Sequence, residues 1–205
     1  YFKTKFNLKT TKNNNKLLKN YKVIVNKKLS TWSGLIKLDN VSHDMPSWKI
    51  KKDLLNNGIK IGCATRTAIN EITYYTGIAP LFFDSEACPK TIKQRFANNE
   101  ETIVIKGIEY SLSKDDVVLV DEKDRIIALD GIEVADGYGV KADKHSVMLF
   151  ISNTYFAYPR NTDIRLGISK FNTKFSKNTI TKFQCNLFLA DLNRVFKNAQ
   201  VTNLF

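Results

Sequence analysis

WKIKKDLLNNGIKIGCATRTAINEITYYTGIAPLFFD, residues Trp48–Asp84, carries two helical patterns that run into an apolar segment. Two of its three glycines, Gly58 and Gly77, divide it. Before Gly58, Ile50 and Leu54 make one apolar stripe while Lys49, Lys51 and Lys52 stay on the wet side, which predicts an amphipathic helix over about 47–57. Asp44 or Ser47 can cap it, with Pro46 close to its first turn, and Gly58 supplies the left-handed stop. Ala64, Ala68 and Ile72 then recur at i, i+4 and i+8, which predicts a second helix from Ala64 to Thr76. Gly77 ends it, and the chain runs on into an apolar loop at Leu81-Phe82-Phe83.

Working outward, the period changes. Tyr21 to Val25 alternates as a strand, and Ser33-Gly34 opens a second run, Leu35 to Leu38. From Thr102 onward β-branched and apolar runs recur: Thr102 to Ile105, Val117 to Val120, Arg125 to Leu129 and Val147 to Ile151. Charged turns separate them at Lys114-Asp115-Asp116 and at Asp121 to Asp124. A closing helix over about 179–198 carries Phe188, Leu192, Val195 and Phe196 on one stripe. The expected fold is α+β, with mixed or antiparallel sheets and helices packed on them. Residues 1–20 hold many lysines and asparagines with little periodicity and read as a basic leader or linker. Residues 21–205 read as a single domain.

Composition bounds the function. Hydrophobic residues make up 43% of 205, enough for a real core. No run approaches the roughly 18 apolar residues of a membrane span. The chain begins Tyr1-Phe2-Lys3, without Met or a signal-peptide layout, and reads as a piece of a longer polypeptide. The net charge of +12 favours polyanions such as nucleic acid, with lysines such as Lys49, Lys51 and Lys52 as contacts; a Lys- and Asn-heavy composition that reflects an AT-rich genome is the plain alternative. Cys63, Cys88 and Cys185 are odd in number and have no metal-ligand spacing, which fits a reduced, cytoplasmic compartment. Neither His43 nor His145 has a His or Cys at i+3 or i+4, so no metal is expected.

Few residues suggest chemistry by themselves. Gly137-Tyr138-Gly139 lacks the spacing of a phosphate loop and reads as a turn. Asp115-Asp116 and Asp121-Glu122 could pair as carboxylates, but at strand ends beside lysines they read as solvated turns. His145 reads as a surface histidine, with no carboxylate spaced to orient it.

The order of these fragments resembles the tRNA-editing (B3/B4) module of the phenylalanyl-tRNA synthetase β subunit. That family writes the central stretch "SPLW…L..AGIR…VVDITNYV..ELGQPLHAFD", and from Gly58 to Asp84 the spacing matches without a gap. Trp32-Ser33-Gly34-Leu35-Ile36 fits its "Y-S-G-x-x-I", and residues 104–135 follow its "TLDG….L…DLVI.D….IALAGVMGG". Tyr155-Phe156 matches "AYF", Ile164 to Ile168 resembles "RRLGL", and Lys174 to Lys177 resembles "RFERG".

The resemblance implies a B3/B4-like editing-domain fold and a module that hydrolyses tyrosine wrongly attached to the phenylalanine tRNA. It implies tRNA, the synthetase α subunit and the rest of the β subunit as partners, with no membrane. It places no cofactor in this stretch, because ATP and magnesium act in other parts of the parent enzyme. Family members line the pocket with the His of "LHAFD", the Glu of "LESA" and the glycines of "GVMGG". Here those positions read Leu81 (followed by Phe82), Ser152, and Val134-Ala135. The pocket is therefore expected to be degenerate, with no catalytic residue and editing weakened or lost. Three alternatives stay open: a shifted alignment in which the true pocket groups are Asp84 or Glu86, an active hydrolase with substituted residues, and a free-standing basic RNA-binding domain.

Overall fold

The computed structural model describes residues 18, 20–39, 41, 48–58, 61–140, 146–168, 180–196 and 200–204. The chain opens with strands β1 (Lys22–Ile24) and β2 (Ser30–Asp39), then helices α1 (Trp48–Asn56) and α2 (Ala64–Thr76). Seven strands follow: β3 (Leu81–Asp84), β4 (Thr91–Phe96), β5 (Thr102–Ile105), β6 (Ile108–Ser111), β7 (Val117–Val120), β8 (Ile126–Leu129) and β9 (Glu133–Val134). Strand β10 (Val147–Thr154), α3 (Ala157–Leu166), α4 (Lys182–Val195) and β11 (Gln200–Leu204) complete it.

The helix read over Ala64 to Thr76 forms over those residues. Gly77 ends it at φ +74°, its N–H donating to the Thr73 carbonyl. Ala68, Ile69 and Ile72 are buried on one stripe, while Tyr75 on the other face is exposed. The cap candidates Asp44 and Ser47, and both histidines, lie outside the described residues, as do residues 169–179 with Lys174 to Lys177.

Two sheets carry the core. One has the order β1-β4-β7-β8-β9, with β1 and β4 parallel; the other has the order β11-β2-β10-β3 and is antiparallel. Alternation along β10 and its neighbours splits their side chains between two layers. Phe82, Leu149 and Ile151 face the helices, meeting Ala68 and Ile72 of α2 and Phe188 and Leu192 of α4. Leu81, Phe83, Met148 and Phe150 face the other sheet, meeting Ile92, Leu119, Ile127 and Val134. Leu18 is buried in this inter-sheet core. The far side of the five-stranded sheet is closed by the β5–β6 hairpin through Ile103 and Ile105. The layers therefore run helices, sheet, sheet, hairpin.

Helices α2 and α4 pack antiparallel. Gln184 near the start of α4 donates to the Thr76 carbonyl at the end of α2, and Glu71 sits near Arg194 and Asp191. Burial pushes the Glu71 carboxyl up from its ordinary value, with Arg194 opposing.

Two expectations change. Leu81 to Asp84 is a strand paired with β10, not a loop; all four residues are buried, so no alternation marks it. Asp116 and Asp121 are buried, while their neighbours Asp115 and Glu122 stay exposed. Asp116 accepts from Thr162 at 2.6 Å, from the Ser113 N–H at 2.7 Å and from Arg165. Asp121 accepts from the N–H groups of Lys123 and Arg125 and from the Arg125 side chain. Burial raises the Asp121 carboxyl, but these donors outweigh it and hold it below its ordinary value. Both aspartates close turns and hold arginines, which sequence position beside lysines did not reveal.

Candidate functional site

At one end of the inter-sheet core, polar side chains replace apolar ones. Gln94 comes from β4, Ser152 and Thr154 from β10, and Asp130 from the turn after β8. Ser152 and Thr154 lie two residues apart on one strand, so alternation turns both toward the same layer. Asp130 is 1% exposed. Its Oδ1 accepts from the Ser152 Oγ at 2.7 Å. Its Oδ2 accepts from the Thr154 Oγ1 at 2.6 Å and from the Gln94 Nε2 at 2.6 Å. The Gly131 N–H supplies a fourth donor. Burial pushes the Asp130 carboxyl above its ordinary value, and these four donors oppose the rise. Gln94 also accepts from the Asn26 N–H at 3.3 Å, which ties the network to the turn after β1.

Beside Asp130 lies a recess of about 30 Å³, lined by Leu81, Phe150, Ser152, Thr154, Gly131 and Pro159 among others. That is room for roughly one or two waters and not for an aromatic side chain. Pro159 of α3 presses on the turn: a Cβ at Gly131, whose φ is +70°, would meet the Pro159 Cβ at 3.3 Å. Asn153 clamps the neighbouring wall, accepting from the Ile180 N–H at 2.9 Å and donating to the Thr31 Oγ1 at 2.6 Å.

The structure brings only two of the five expected pocket residues to this recess, Leu81 and Ser152. Phe82 faces the helix layer, 8% exposed, with the Arg66 guanidinium 5.5 Å from its ring centroid. Val134 packs between the sheets. Ala135 packs in the outer core and borders an open groove of about 410 Å³ with Glu101, Asp124 and Asp136. Asp84 is buried and accepts from the Glu86 N–H at 2.9 Å, closing the turn after β3; neither residue lines the recess. His145 lies outside the described residues. Gly137 and Tyr138 form a turn, as read.

Asp130 was not singled out from the sequence. It follows the apolar run Ile126 to Leu129 and resembles one more turn aspartate. The signal available was the pair Ser152 and Thr154 at alternate positions of an otherwise apolar strand, which need a buried partner. The cysteines carry no comparable site. All three are free thiols, and burial pushes that of Cys88 up to about 12.

No protein-family model matches the chain. It is similar to the phenylalanine–tRNA ligase β subunit of Ureaplasma parvum serovar 3 (strain ATCC 700970), with 29% identity over 77% of this chain and 21% of that protein. It is also similar to the same subunit of Malacoplasma penetrans (strain HF-2), with 25% identity over 87% of this chain and 22% of that protein. The chain thus spans about a fifth of the length of these relatives. Its fold is like that of an N-terminal fragment of the Pyrococcus horikoshii phenylalanyl-tRNA synthetase β subunit, with a TM-score of 0.54 and 13% identity over 89% of this chain and 50% of the other. Homologues and fold agree on a phenylalanyl-tRNA synthetase β-subunit segment as what this chain is similar to. The α+β architecture expected from the sequence is the one observed.

Proposed function

We propose that the chain is the editing-type (B3/B4-like) module of a cytoplasmic phenylalanyl-tRNA synthetase β subunit in which hydrolytic editing of tyrosyl-tRNA is lost. Its partners are then tRNA, the α subunit and the rest of the β subunit, while ATP and magnesium chemistry belongs to other parts of the enzyme. One observation carries the loss. The carboxylate behind the recess, Asp130, has four donors on its two oxygens, and the recess, walled by Ser152 and Thr154 and not by Asp130 itself, is about 30 Å³. A tyrosine ring does not fit that space, and a hydroxyl reaching it would find no open acceptor on that carboxylate. Losing that charged acceptor costs about 1–3 kcal/mol, a roughly ten- to hundred-fold loss of affinity. Leu81 offers no polar group to compensate.

A second reading is favoured by the same residue. Asp130 could act as the substituted acceptor if Ser152 and Thr154 turned away from it, in a module that still edits. Hydrolysis of tyrosyl-tRNA by the chain within its full synthetase separates the two. The first reading gives background hydrolysis, unchanged by Asp130→Asn. Robust hydrolysis that Asp130→Asn abolishes establishes the second and refutes the first.

A further inference from the structure

The pairing of β1 with β4 gathers lysines that are far apart in sequence. Lys22 pairs with Thr91 and Ile24 with Lys93, and the Lys22 N–H donates to the Lys90 carbonyl at 2.7 Å. Lys27 and Lys28 sit in the turn after β1, which Asn26 holds by accepting from the N–H groups of Lys28 and Leu29. Residues 20–28 and 88–97 together hold five lysines and Arg95 and not one acidic residue. Arg95 is committed to Glu101 and Asp124. Among the described residues none of the five lysines makes an ion pair, and four of them, Lys22, Lys27, Lys28 and Lys90, are exposed. Lys90 is not loose: its ammonium lies 4.2 Å from the Tyr21 ring centroid and donates to the Tyr21 hydroxyl at 3.1 Å. Alternation puts Lys22 and Lys93 on the same outward face, separated by two residue steps, about 7 Å along the strands. This edge lies beyond the β5–β6 hairpin that covers β7 and β8.

We infer that the β1–β4 edge is the surface on which this chain takes the phosphate backbone of RNA. The identity of the polyanion rests on the synthetase reading above; the position of the surface rests on the lysines. Ammonium groups that make no ion pair among the described residues neutralise phosphates without first breaking one.

The test is fluorescence anisotropy of labelled tRNA with the 205-residue chain from about 50 to 200 mM salt, where each phosphate contact contributes about 0.7–0.9 to the slope of log affinity against log salt. Lys22→Ala/Lys90→Ala/Lys93→Ala is expected to weaken binding about tenfold at the low-salt end and to flatten the slope by about 2–3. A matched removal of three exposed lysines elsewhere, Lys114→Ala/Lys123→Ala/Lys182→Ala, is expected to leave affinity within about twofold. Five of the six side chains are exposed and Lys93 is half-buried, and thermal melts of both variants confirm that they fold. Equal losses in the two triples make net charge the cause and overturn the surface. So does a loss confined to Lys49→Ala/Lys51→Ala/Lys52→Ala. Tighter binding to phosphatidylcholine–phosphatidylserine vesicles than to tRNA overturns RNA as the occupant. Parent chain that binds tRNA while the β1–β4 triple is unaffected refutes the surface alone. Parent chain that binds no tRNA at low salt refutes the surface and the tRNA partnership together.

Discussion

At the scale of single residues, the carboxylate of Asp130 decides how the recess behaves. Its value in the fold lies above its unfolded value of about 3.9. A raised acid binds its proton more readily when folded, so its contribution to stability is fully present below about 3.9 and is lost as pH rises through the raised value. Asp130→Asn puts an amide that does not titrate in its place, so the stability gap between the two chains follows this carboxyl alone. Urea melts are expected to show this gap widest in acid and narrowing as pH rises from about 4; a gap that widens with pH would contradict the burial argument. Glu101 behaves oppositely. Bidentate bonding to Arg95 holds it down at about 2. The stability it adds is present above its unfolded value of about 4.3 and is lost as pH falls toward 2. Gly131→Ala forces a Cβ into the left-handed region and against Pro159, and thermal melts are expected to show a loss of about 1–2 kcal/mol. Glycines that stop helices, Gly58 and Gly77, were legible because their neighbours define where a helix must end. Asp130 was not, because its partners come from β4 and β10, and no local pattern records a meeting across two sheets.

At the scale of elements, legibility followed burial. Helix α2 hides a full stripe, so its spacing announced both its existence and its ends. Helix α3 went unread because it buries only Pro159 and Thr162 and exposes Ile164. Strand β4 went unread for a related reason: its inward positions are Ile92 and Gln94, and an inward glutamine breaks the apolar alternation. Helix α4 is fixed by a capping box, in which the Thr181 hydroxyl accepts from the Gln184 N–H and the Gln184 side chain returns to the Thr181 N–H. Thr181→Ala is expected to cost about 1 kcal/mol. Phe188 on the same helix is wholly buried against α2 and the four-stranded sheet, and Phe188→Ala is expected to cost about 3–5 kcal/mol. Chemical denaturation of both variants checks the ranking; a larger loss at Thr181 than at Phe188 would show that α4 is held by its cap and not by its packing.

At the scale of the whole molecule, the recess is closed from several sides. Strand β10 brings Ser152 and Thr154, the turn after β8 brings Asp130, and α3 brings Pro159 over Gly131. Each would have to move for a tyrosyl group to enter, so the closure belongs to the layered fold and not to one substitution. Under the proposed reading, Leu81→His with Ser152→Glu is accordingly expected to leave hydrolysis of tyrosyl-tRNA near background. Amide NMR of the 205-residue chain titrated with tyrosine methyl ester tests the closure most directly. The account predicts no saturable shift at Gly131, Ser152 or Thr154 up to millimolar ester. Saturable shifts at those three amides, present with tyrosine ester and absent with phenylalanine ester, would show an open pocket that reads the hydroxyl and would contradict it.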